Sequence, residues 1–290
     1  MSTARTSGET VGFARKAEGR GRAGAQKSVG GLRNHEGRRG PAPARALGSA
    51  RRRNHGMKIG IIGAGLIGGS LARHWVKLGH EVLIANSRGP ETLRELAAET
   101  GSKAVTFTDA VKGVDVVVVS IPQKAIRDLP KDLFANVPKD VVVIDTGNYY
   151  PVRDGSIPEL EAGMPESEWV ATLLGRPVIK VFNNISFVSL REKTAPRGTP
   201  GRIALPVAGD PPAARAKVLQ LVDALGFDAV DAGGTAESWR QQPGTPCYGQ
   251  DFDAARLKQA LAEADRSKIP QYREAADSGL KQYLASLQKS

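Results

Sequence analysis

From residue 57 onward, short apolar runs alternate with longer stretches in which apolar positions recur every three or four residues. Runs such as "DVVVVS" and "VVVID" are rich in β-branched residues, which is typical of strands buried on both faces. The amphipathic stretches between such runs predict helices. We predict strands at residues 58–62, 81–85, 104–107, 115–120, 141–145, 178–182, 203–208 and 227–231, and helices at residues 66–78, 91–100, 212–225, 251–264 and 271–287.

The alternation of strands and helices predicts an α/β fold. We expect a doubly wound, mostly parallel sheet of the Rossmann type, with a small helical C-terminal part. The chain divides into a basic extension at residues 1–56, a sheet domain at residues 57–210, and a C-terminal part at residues 211–290 that completes the cleft beside the sheet.

Residues 1–56 differ in composition from the rest. They hold 13 Lys and Arg against 3 Asp and Glu, with 11 glycines, so they carry nearly all of the net charge of +11. Such a segment cannot bury enough apolar surface to offset its ordering entropy, and we expect it to be disordered. Three interpretations stay open: a basic tail, an organelle transit peptide, or a stretch upstream of a translation start at Met57. We favour the last, because Met57 directly precedes the first strand.

The remaining residues are nearly balanced in charge, which gives no sign of nucleic-acid binding by the folded part. The single cysteine, Cys247, cannot form an intramolecular disulfide, and no apolar stretch approaches the roughly 20 residues needed to span a bilayer. We therefore expect a cytoplasmic protein without a membrane partner. The C-terminal helices are a candidate surface for a homodimer.

A glycine-rich loop, "GAGLIG", lies between the first predicted strand and the first predicted helix. In a G-x-G-x-x-G loop the first glycine permits a tight turn, the second lets the backbone approach a pyrophosphate, and the third lets helix and strand pack closely. The helix N-terminus offers free N–H groups to the phosphates. The context favours a dinucleotide site over a turn without a ligand. The predicted residues are Gly63, Ala64, Gly65, Leu66, Ile67 and Gly68.

The end of the second strand selects between the two nicotinamide dinucleotides. An NAD-binding chain usually has Asp or Glu there, bonded to the ribose 2′-OH. This chain has Asn86, Ser87 and Arg88, so no carboxylate would repel a 2′-phosphate. A serine hydroxyl and an arginine fork suit a phosphate, which predicts NADP(H) as the cofactor.

Polar or turn-forming residues follow three further strands. "DVVVVSIP" ends at Ser120, Ile121 and Pro122, where the ribose and nicotinamide of a bound dinucleotide are expected to pass. "VVVIDTGN" ends at residues 146–148, and we predict that Asn148 contacts the cofactor. "VIKVFNN" brings residues 183 and 184 to the same edge, where they act either as ligands or as strand caps.

The stretches "MKIGIIGAGLIGGSLA", "NSRGPETL", "VVVVSIP" and "KVFNN" together resemble the coenzyme F420-dependent NADP oxidoreductase family. The resemblance covers most of residues 57–290. It implies a Rossmann fold and hydride transfer between NADPH and the deazaflavin coenzyme F420. It also implies that residues 64–67 and the pair Ser87 and Arg88 hold NADP, and that Gln123 and Ile126 lie near the nicotinamide. One departure is that residues 89–92 lack a lysine that family members carry as further phosphate support.

The tail "AESWRQQPGTPCYGQDFD" resembles a bacterial branch of that family that is less tied to F420. It forms either a substrate-side loop, with Trp239 and Arg240 facing the substrate, or a packed structural loop, which we favour for any single residue. Cys247 in this tail is expected to be a passive thiol.

Direct hydride transfer between two ring systems needs no acid–base side chain. His74 and His80 are the only histidines after residue 57, and both are expected to be structural. Lys180 is a candidate proton donor, but we favour a solvated lysine at a strand end. We name no catalytic residue and no metal site.

Three functions follow from these observations. The first is an NADP(H)-dependent oxidoreductase with a small-molecule redox partner, either F420 or a flavin-like acceptor. The second is an NADPH-linked dehydrogenase of a carbonyl or imine substrate. The third is a non-catalytic NADP(H)-binding sensor.

Overall fold

The computed structural model describes residues 56–287. Apart from Gly56, the predicted basic extension lies outside the described residues, and so do residues 288–290. The division at residue 210 stays a prediction.

Eight strands form one sheet. They are β1 (Lys58–Ile62), β2 (Glu81–Ala85), β3 (Lys103–Ala104), β4 (Val116–Val119), β5 (Val142–Asp145), β6 (Ile179–Lys180), β7 (Ala204–Gly209) and β8 (Asp228–Asp231). Their order in the sheet is β3-β2-β1-β4-β5-β6-β7-β8, and all neighbours are parallel except β6 and β7. The predicted doubly wound, mostly parallel sheet is confirmed.

Ten α-helices connect or follow these strands in the described part. They are α1 (Leu66–Lys77), α2 (Arg94–Thr100), α3 (Phe107–Ala110), α4 (Pro151–Asp154), α5 (Pro158–Glu161), α6 (Glu166–Leu174), α7 (Phe187–Glu192), α8 (Pro212–Leu225), α9 (Ala254–Glu263) and α10 (Ile269–Leu287). Four 3₁₀ helices lie at Pro90–Leu93, Gln123–Asp128, Thr235–Gln241 and Arg266–Lys268. None of the helices within residues 56–287 has the length and apolar character needed to cross a lipid bilayer.

Three sequence predictions differ from this arrangement. The strand predicted at residues 104–107 is two residues long, because Thr106 caps α3 and its Oγ1 accepts a hydrogen bond from Asp109 N at 3.2 Å. The strand predicted at 178–182 ends at Lys180, because Phe182 has a positive φ of 62° that turns the chain out of the sheet. The short helices α4–α7 were not predicted, because none is long enough to show a clear helical period.

Both faces of the sheet are covered, which explains the unbroken apolar strands. Val116 and Val118 of β4 belong to one core cluster, together with Trp75 of α1, whereas Val117 and Val119 belong to the other, together with Trp169 of α6. Alternate residues of a strand point to opposite faces, so a strand in the middle of this sheet needs apolar residues at every position.

A third, smaller cluster joins α9 and the segment before it to β7 and β8. Leu257 and Leu261 of α9 pack there against Ala204 and Val230. Cys247 is buried in the same cluster, and burial raises the pKa of its thiol to about 11. A thiol with that pKa stays protonated at neutral pH, in keeping with the predicted passive role.

A buried ion pair crosses β5, β6 and α6. Lys180 Nζ lies 3.2 Å from Asp145 Oδ2 and 3.3 Å from Glu166 Oε2, and all three side chains are fully or almost fully buried. Burial alone would lower the pKa of the Lys180 ammonium, but the two carboxyl groups together raise it. Burial raises the pKa of Glu166 in spite of the nearby ammonium. The expectation of a solvated lysine at a strand end was wrong, because the carboxyl groups that hold Lys180 are distant in sequence.

We expect Lys180→Met to lower the free energy of unfolding by about 3–5 kcal/mol, because it leaves two carboxyl groups buried without a cation. Urea unfolding followed by circular dichroism measures the change. Lys193→Met is the matched control: Lys193 forms an exposed pair with Asp251 at 2.7 Å, whose loss is expected to cost less than about 1 kcal/mol. Equal effects of the two substitutions would contradict the buried network.

We expect Gly60→Ala to destabilise the protein by ~3 kcal/mol, because an added methyl group has no room. A Cβ at Gly60 in β1 would lie 1.7 Å from Ala110 O at the end of α3. The control is Gly279→Ala within α10, where a Cβ meets no atom within 4 Å. That control is expected to stabilise the helix by about 0.5–1 kcal/mol. Thermal unfolding of both variants tests the pair, and an unchanged midpoint for Gly60→Ala would refute the steric argument.

Candidate functional site

The carboxyl ends of β1, β4, β5 and β6 lie side by side and form what we call the carboxyl edge. Ile62 pairs with Val119, Val119 with Asp145, and Asp145 with Lys180. Residues that follow these strand ends by the same number of positions in sequence therefore lie side by side. In an open α/β sheet, ligands bind at this edge beside the point where the strand order reverses, here between β1 and β4.

A cleft of about 460 Å³ opens at that point of the edge. It brings together nine of the predicted site residues: Gly63, Ala64, Gly65, Asn86, Ser87, Arg88, Ser120, Ile121 and Pro122. Four lining residues were not predicted, namely Phe107, Ala125, Asp128 and Leu129. They were missed because no recognisable motif contains them.

The glycine loop has the geometry that its sequence predicts. Gly63 has φ of 111°, and a Cβ there would lie 2.1 Å from Ser120 O. A Cβ at Gly68 would lie 2.0 Å from Gly63 O, so helix and strand pack closely at this point. At Gly65 no atom lies within 4 Å of an added Cβ, which leaves the space that an approaching phosphate needs. Gly65 is also the N-cap of α1, so no side chain competes with a ligand for the first N–H groups.

The loop after β2 is held in shape by Asn86. Its Oδ1 accepts a hydrogen bond from Arg88 N at 3.0 Å, and its Nδ2 donates to Thr92 Oγ1 at 2.9 Å. Ser87 and Arg88 are exposed at the tip of this loop and line the cleft. Asn86 therefore positions the loop, while the next two residues present a hydroxyl and a guanidinium.

Five other predicted residues lie outside the cleft lining. Leu66 and Ile67 begin α1, with Leu66 exposed, and Gly68 is packed beneath the loop. Gln123 and Ile126 are buried in the 3₁₀ helix after β4. Their roles stay predictions.

Gln123 is nevertheless unusual. Its side chain is fully buried, and neither its Oε1 nor its Nε2 has a hydrogen-bond partner within residues 56–287. A Cβ at Gly147 would lie 3.2 Å from Gln123 Oε1, so the carboxamide packs over a bare glycine between the ends of β4 and β5. Buried side-chain amides without a partner are rare in folded proteins, which makes this carboxamide a candidate for a functional contact.

Asn148, the remaining predicted residue, belongs to a hydrogen-bonded group with Asn183 and with three residues that sequence reasoning missed. Asn183 Nδ2 donates to Asn148 Oδ1 at 3.0 Å, and Gln241 Nε2 donates to Asn183 Oδ1 at 2.9 Å. Asn148 Nδ2 donates to the Tyr248 hydroxyl at 3.2 Å, and that hydroxyl shares a short hydrogen bond with the hydroxyl of Tyr150. We call these five residues the amide–tyrosine cluster.

The cluster continues the carboxyl edge from the cleft. Asn148 and Asn183 lie three residues beyond paired positions of β5 and β6, as Gly65 and Pro122 do beyond β1 and β4. Thr146 Oγ1 donates to Ser120 Oγ at 2.9 Å, which joins the two regions. The edge thus has a glycine end and an amide–tyrosine end.

The chain turns sharply where β6 reaches the edge. Phe182 is fully buried in a left-handed conformation that is rare for a bulky residue, and its ring packs edge-on against Trp75 at 6.1 Å between centroids. A left-handed backbone at such a residue costs of the order of 1–3 kcal/mol. Phe182 directly precedes Asn183 in the chain. The packing of Phe182 against Trp75 stabilises the strained turn, which places Asn183 at the edge.

The histidines have structural partners, as expected. His80 Nδ1 accepts a hydrogen bond from Met57 N at 2.9 Å, and His74 Nε2 lies 2.9 Å from Leu190 O. Burial lowers the pKa of both imidazoles, so both are neutral at pH 7.

Trp239 and Arg240 belong to a packed loop. The indole is almost fully buried, with the guanidinium of Arg240 at 4.6 Å and that of Arg266 at 5.9 Å from the ring centre. The alternative in which Trp239 presents a free face to a substrate is therefore wrong.

The site fits a dinucleotide with a 2′-phosphate. The open position at Gly65, the uncapped start of α1 and the exposed Ser87 and Arg88 suit the phosphates. The unpartnered Gln123 carboxamide suits a polar group further along the edge.

Comparisons with known proteins agree with this geometry. The family model "NADP oxidoreductase coenzyme F420-dependent" matches residues 58–149. The protein YjhV of Escherichia coli K12 is 42% identical over 97 residues, which span 33% of this chain and 64% of that protein. The chain therefore matches less than two thirds of the length of this curated relative.

Two solved structures are similar over longer ranges. The hypothetical protein SMa0349 from Sinorhizobium meliloti is 30% identical, with a TM-score of 0.58, over 68% of this chain and 95% of that one. A protein from Arthrobacter sp. FB24 titled "putative f420 dependent nadp-reductase" is 24% identical, with a TM-score of 0.53, over 62% of this chain and 86% of that one, and it supports the fold. The chain belongs to the coenzyme F420-dependent NADP oxidoreductase family of NAD(P)-binding Rossmann proteins.

Proposed function

We propose that the protein is an NADP(H)-dependent oxidoreductase that transfers hydride between NADPH and a deazaflavin or flavin-like acceptor, with coenzyme F420 as the first candidate. One observation carries the proposal: the glycine loop and the carboxylate-free loop of Asn86, Ser87 and Arg88 line the same cleft. The loop suited to a pyrophosphate and the loop suited to a 2′-phosphate thus line one cleft, as binding of a single NADP(H) molecule requires.

Different residues of the edge bind different parts of the dinucleotide. The first N–H groups of α1 bind the pyrophosphate, and Ser87 and Arg88 bind the 2′-phosphate. Ser120 and Pro122 line the path toward the end of β5, and Gln123 supplies hydrogen bonds to the nicotinamide carboxamide. NADPH, when bound, supplies the hydride. The protein orients the donor ring and excludes water around it.

The two histidines and Lys180 all have structural partners, which suits direct transfer between rings. His74 and His80 are held by backbone groups, and Lys180 is enclosed in its ion pair. None of the three is available to protonate a substrate. A loss of activity in a Lys180→Ala variant would therefore report on stability and not on proton donation.

A second function, reduction of a carbonyl or imine substrate, is favoured by one observation. Burial raises the pKa of both Tyr150 and Tyr248, so both phenols stay protonated at neutral pH and can donate. This function would require one of the two hydroxyls to protonate the product. The third alternative, a sensor without turnover, requires only the glycine end of the edge.

We expect Arg88→Ala to weaken NADPH binding by about 10- to 100-fold and to leave NADH binding unchanged within twofold, because a charge-assisted hydrogen bond to phosphate contributes about 1.5–3 kcal/mol. Quenching or enhancement of dinucleotide fluorescence gives both dissociation constants. Arg191→Ala, which removes an exposed arginine on α7, is the matched control and is expected to change neither. An unchanged ratio of the two affinities in Arg88→Ala would contradict the assigned role of this loop.

The acceptor is tested with the full chain and NADPH. We expect rapid loss of NADPH absorbance with coenzyme F420, or with FMN, together with loss of the acceptor's visible absorbance. Turnover only with small carbonyl or imine compounds would support the second function. Tight NADPH binding without turnover on any of these acceptors would leave the sensor, and the absence of NADPH binding would overturn all three.

A further inference from the structure

The amide–tyrosine cluster contains one more hydroxyl hydrogen than it uses. The two hydroxyls of Tyr150 and Tyr248 share a single hydrogen bond, in which one of them donates. Asn148 Nδ2 donates to the Tyr248 hydroxyl, so this amide nitrogen cannot also accept a hydrogen bond from Tyr248. Whichever tyrosine donates to the other, one hydroxyl hydrogen is left without an acceptor within residues 56–287. Both tyrosines are half-buried, so this hydrogen is free to be donated to a ligand or to water.

The surrounding residues hold this spare donor in place. Asn148 is fixed by Asn183 on one side, while Arg153 donates to Asn148 O at 2.5 Å on the other. The Arg153 guanidinium also lies 5.3 Å from the centre of the Tyr150 ring. Gly249 N, next to Tyr248, donates to Asn184 O at 2.8 Å. The hydroxyl pair therefore has a fixed position relative to the ends of β5 and β6.

A second unpartnered group lies in the same region. The side chain of Asn184 is 1% exposed, and neither its Oδ1 nor its Nδ2 has a partner within the described chain. With Gln123, which follows β4, Asn184, which follows β6, makes a second buried carboxamide without a partner in the described chain. The spare tyrosine hydrogen and these two carboxamides thus belong to segments that follow the ends of β4, β5 and β6, and unused polar groups at one edge of a sheet favour a polar ligand there.

We propose that the Tyr150–Tyr248 pair donates a hydrogen bond to a carbonyl oxygen on the ring of the hydride acceptor, so that the acceptor class is a planar ring system with a carbonyl conjugated to the reacting atom. This inference rests on the proposed function and specifies its acceptor side. In the transfer, the acceptor ring gains a hydride and NADPH becomes NADP⁺. The negative charge brought by the hydride spreads onto the conjugated carbonyl oxygen, and a solvent proton later neutralises it. A hydrogen bond aimed at that oxygen strengthens as the charge develops.

The acid–base state of the pair fits this role. Burial raises the pKa of both phenols above the ordinary value of tyrosine, and the nearby Glu166 raises each further. Both hydroxyls consequently remain donors across the neutral and mildly alkaline range. The pair acts as a fixed donor, and its contribution is expected to be independent of pH from about 6 to 9.

Binding in a dead-end complex tests the proposal without turnover. The full chain saturated with NADP⁺ is titrated with FMN, with coenzyme F420, and with N-methylacridinium, a planar hydride acceptor that lacks a carbonyl. In the double variant Tyr150→Phe/Tyr248→Phe we expect the dissociation constants of FMN and F420 to rise about threefold to tenfold, as for loss of one hydrogen bond. Binding of NADP⁺ and of N-methylacridinium is expected to change less than twofold.

Tyr283→Phe, an exposed tyrosine on α10, is the control and is expected to change no constant. If the double variant does not fold, as judged by circular dichroism, Tyr150→Phe alone is used, because Tyr150 is only half-buried. Unchanged affinity for both carbonyl rings, an equal loss for N-methylacridinium, or failure of the wild-type chain to bind either carbonyl ring would overturn the proposal.

Different results would overturn the proposed oxidoreductase activity and the proposed donor pair. Tyrosine-dependent binding of FMN or F420 without any NADPH oxidation would overturn the proposed oxidoreductase activity and keep the donor pair. NADPH oxidation with these acceptors that is unaffected in binding and rate by the double variant would keep the activity and overturn the donor pair.

Discussion

The ammonium group of Lys180 is enclosed between Asp145 and Glu166 and donates to Gly147 O at 2.5 Å. A buried cation is tolerated only when its partners surround it, so this contact fixes β5, β6 and α6 relative to one another. Gly147 is held on both sides, because its carbonyl accepts from Lys180 and its N–H donates to Asp145 Oδ1 at 2.8 Å. Asn148 follows directly. The position of the amide–tyrosine cluster at the carboxyl edge therefore depends on an electrostatic constraint inside the sheet.

In the proposed function, the two ends of the edge bind chemically different groups. At the glycine end, side chains are absent where a charged ligand is to approach, and the backbone and the start of α1 supply the polar groups. At the other end, amides and phenols from distant segments supply them, and Gln241 and Tyr248 come from the C-terminal part. A phosphate is recognised by charge and by space for the backbone, whereas a ring needs donors at fixed positions.

The sequence predicted the glycine end well because each of its elements is contiguous. Gly63, Gly65 and Gly68 lie within six residues, and Ser87 and Arg88 directly follow a strand with a clear apolar pattern. The amide–tyrosine cluster could not be predicted in the same way, since 98 residues separate Tyr150 from Tyr248. Lys180 was misjudged for a related reason. Lysine side chains are usually exposed, so the sequence favoured a solvated Lys180. Its partners Asp145 and Glu166 are 35 and 14 residues away in sequence, and only the fold brings them into contact with it.

The two ends of the edge also differ in how strongly their residues are connected to the core. Ser87 and Arg88 are exposed on a loop that Asn86 shapes locally, so their side chains can change without disturbing the sheet. The tyrosine pair is linked through asparagines to strands that also hold a buried ion pair and a strained Phe182. Substitutions there alter packing and hydrogen bonding together. If the proposed function holds, substitutions at Ser87 and Arg88 are therefore expected to alter dinucleotide preference at little cost in stability, whereas substitutions in the amide–tyrosine cluster are expected to alter acceptor binding and stability together.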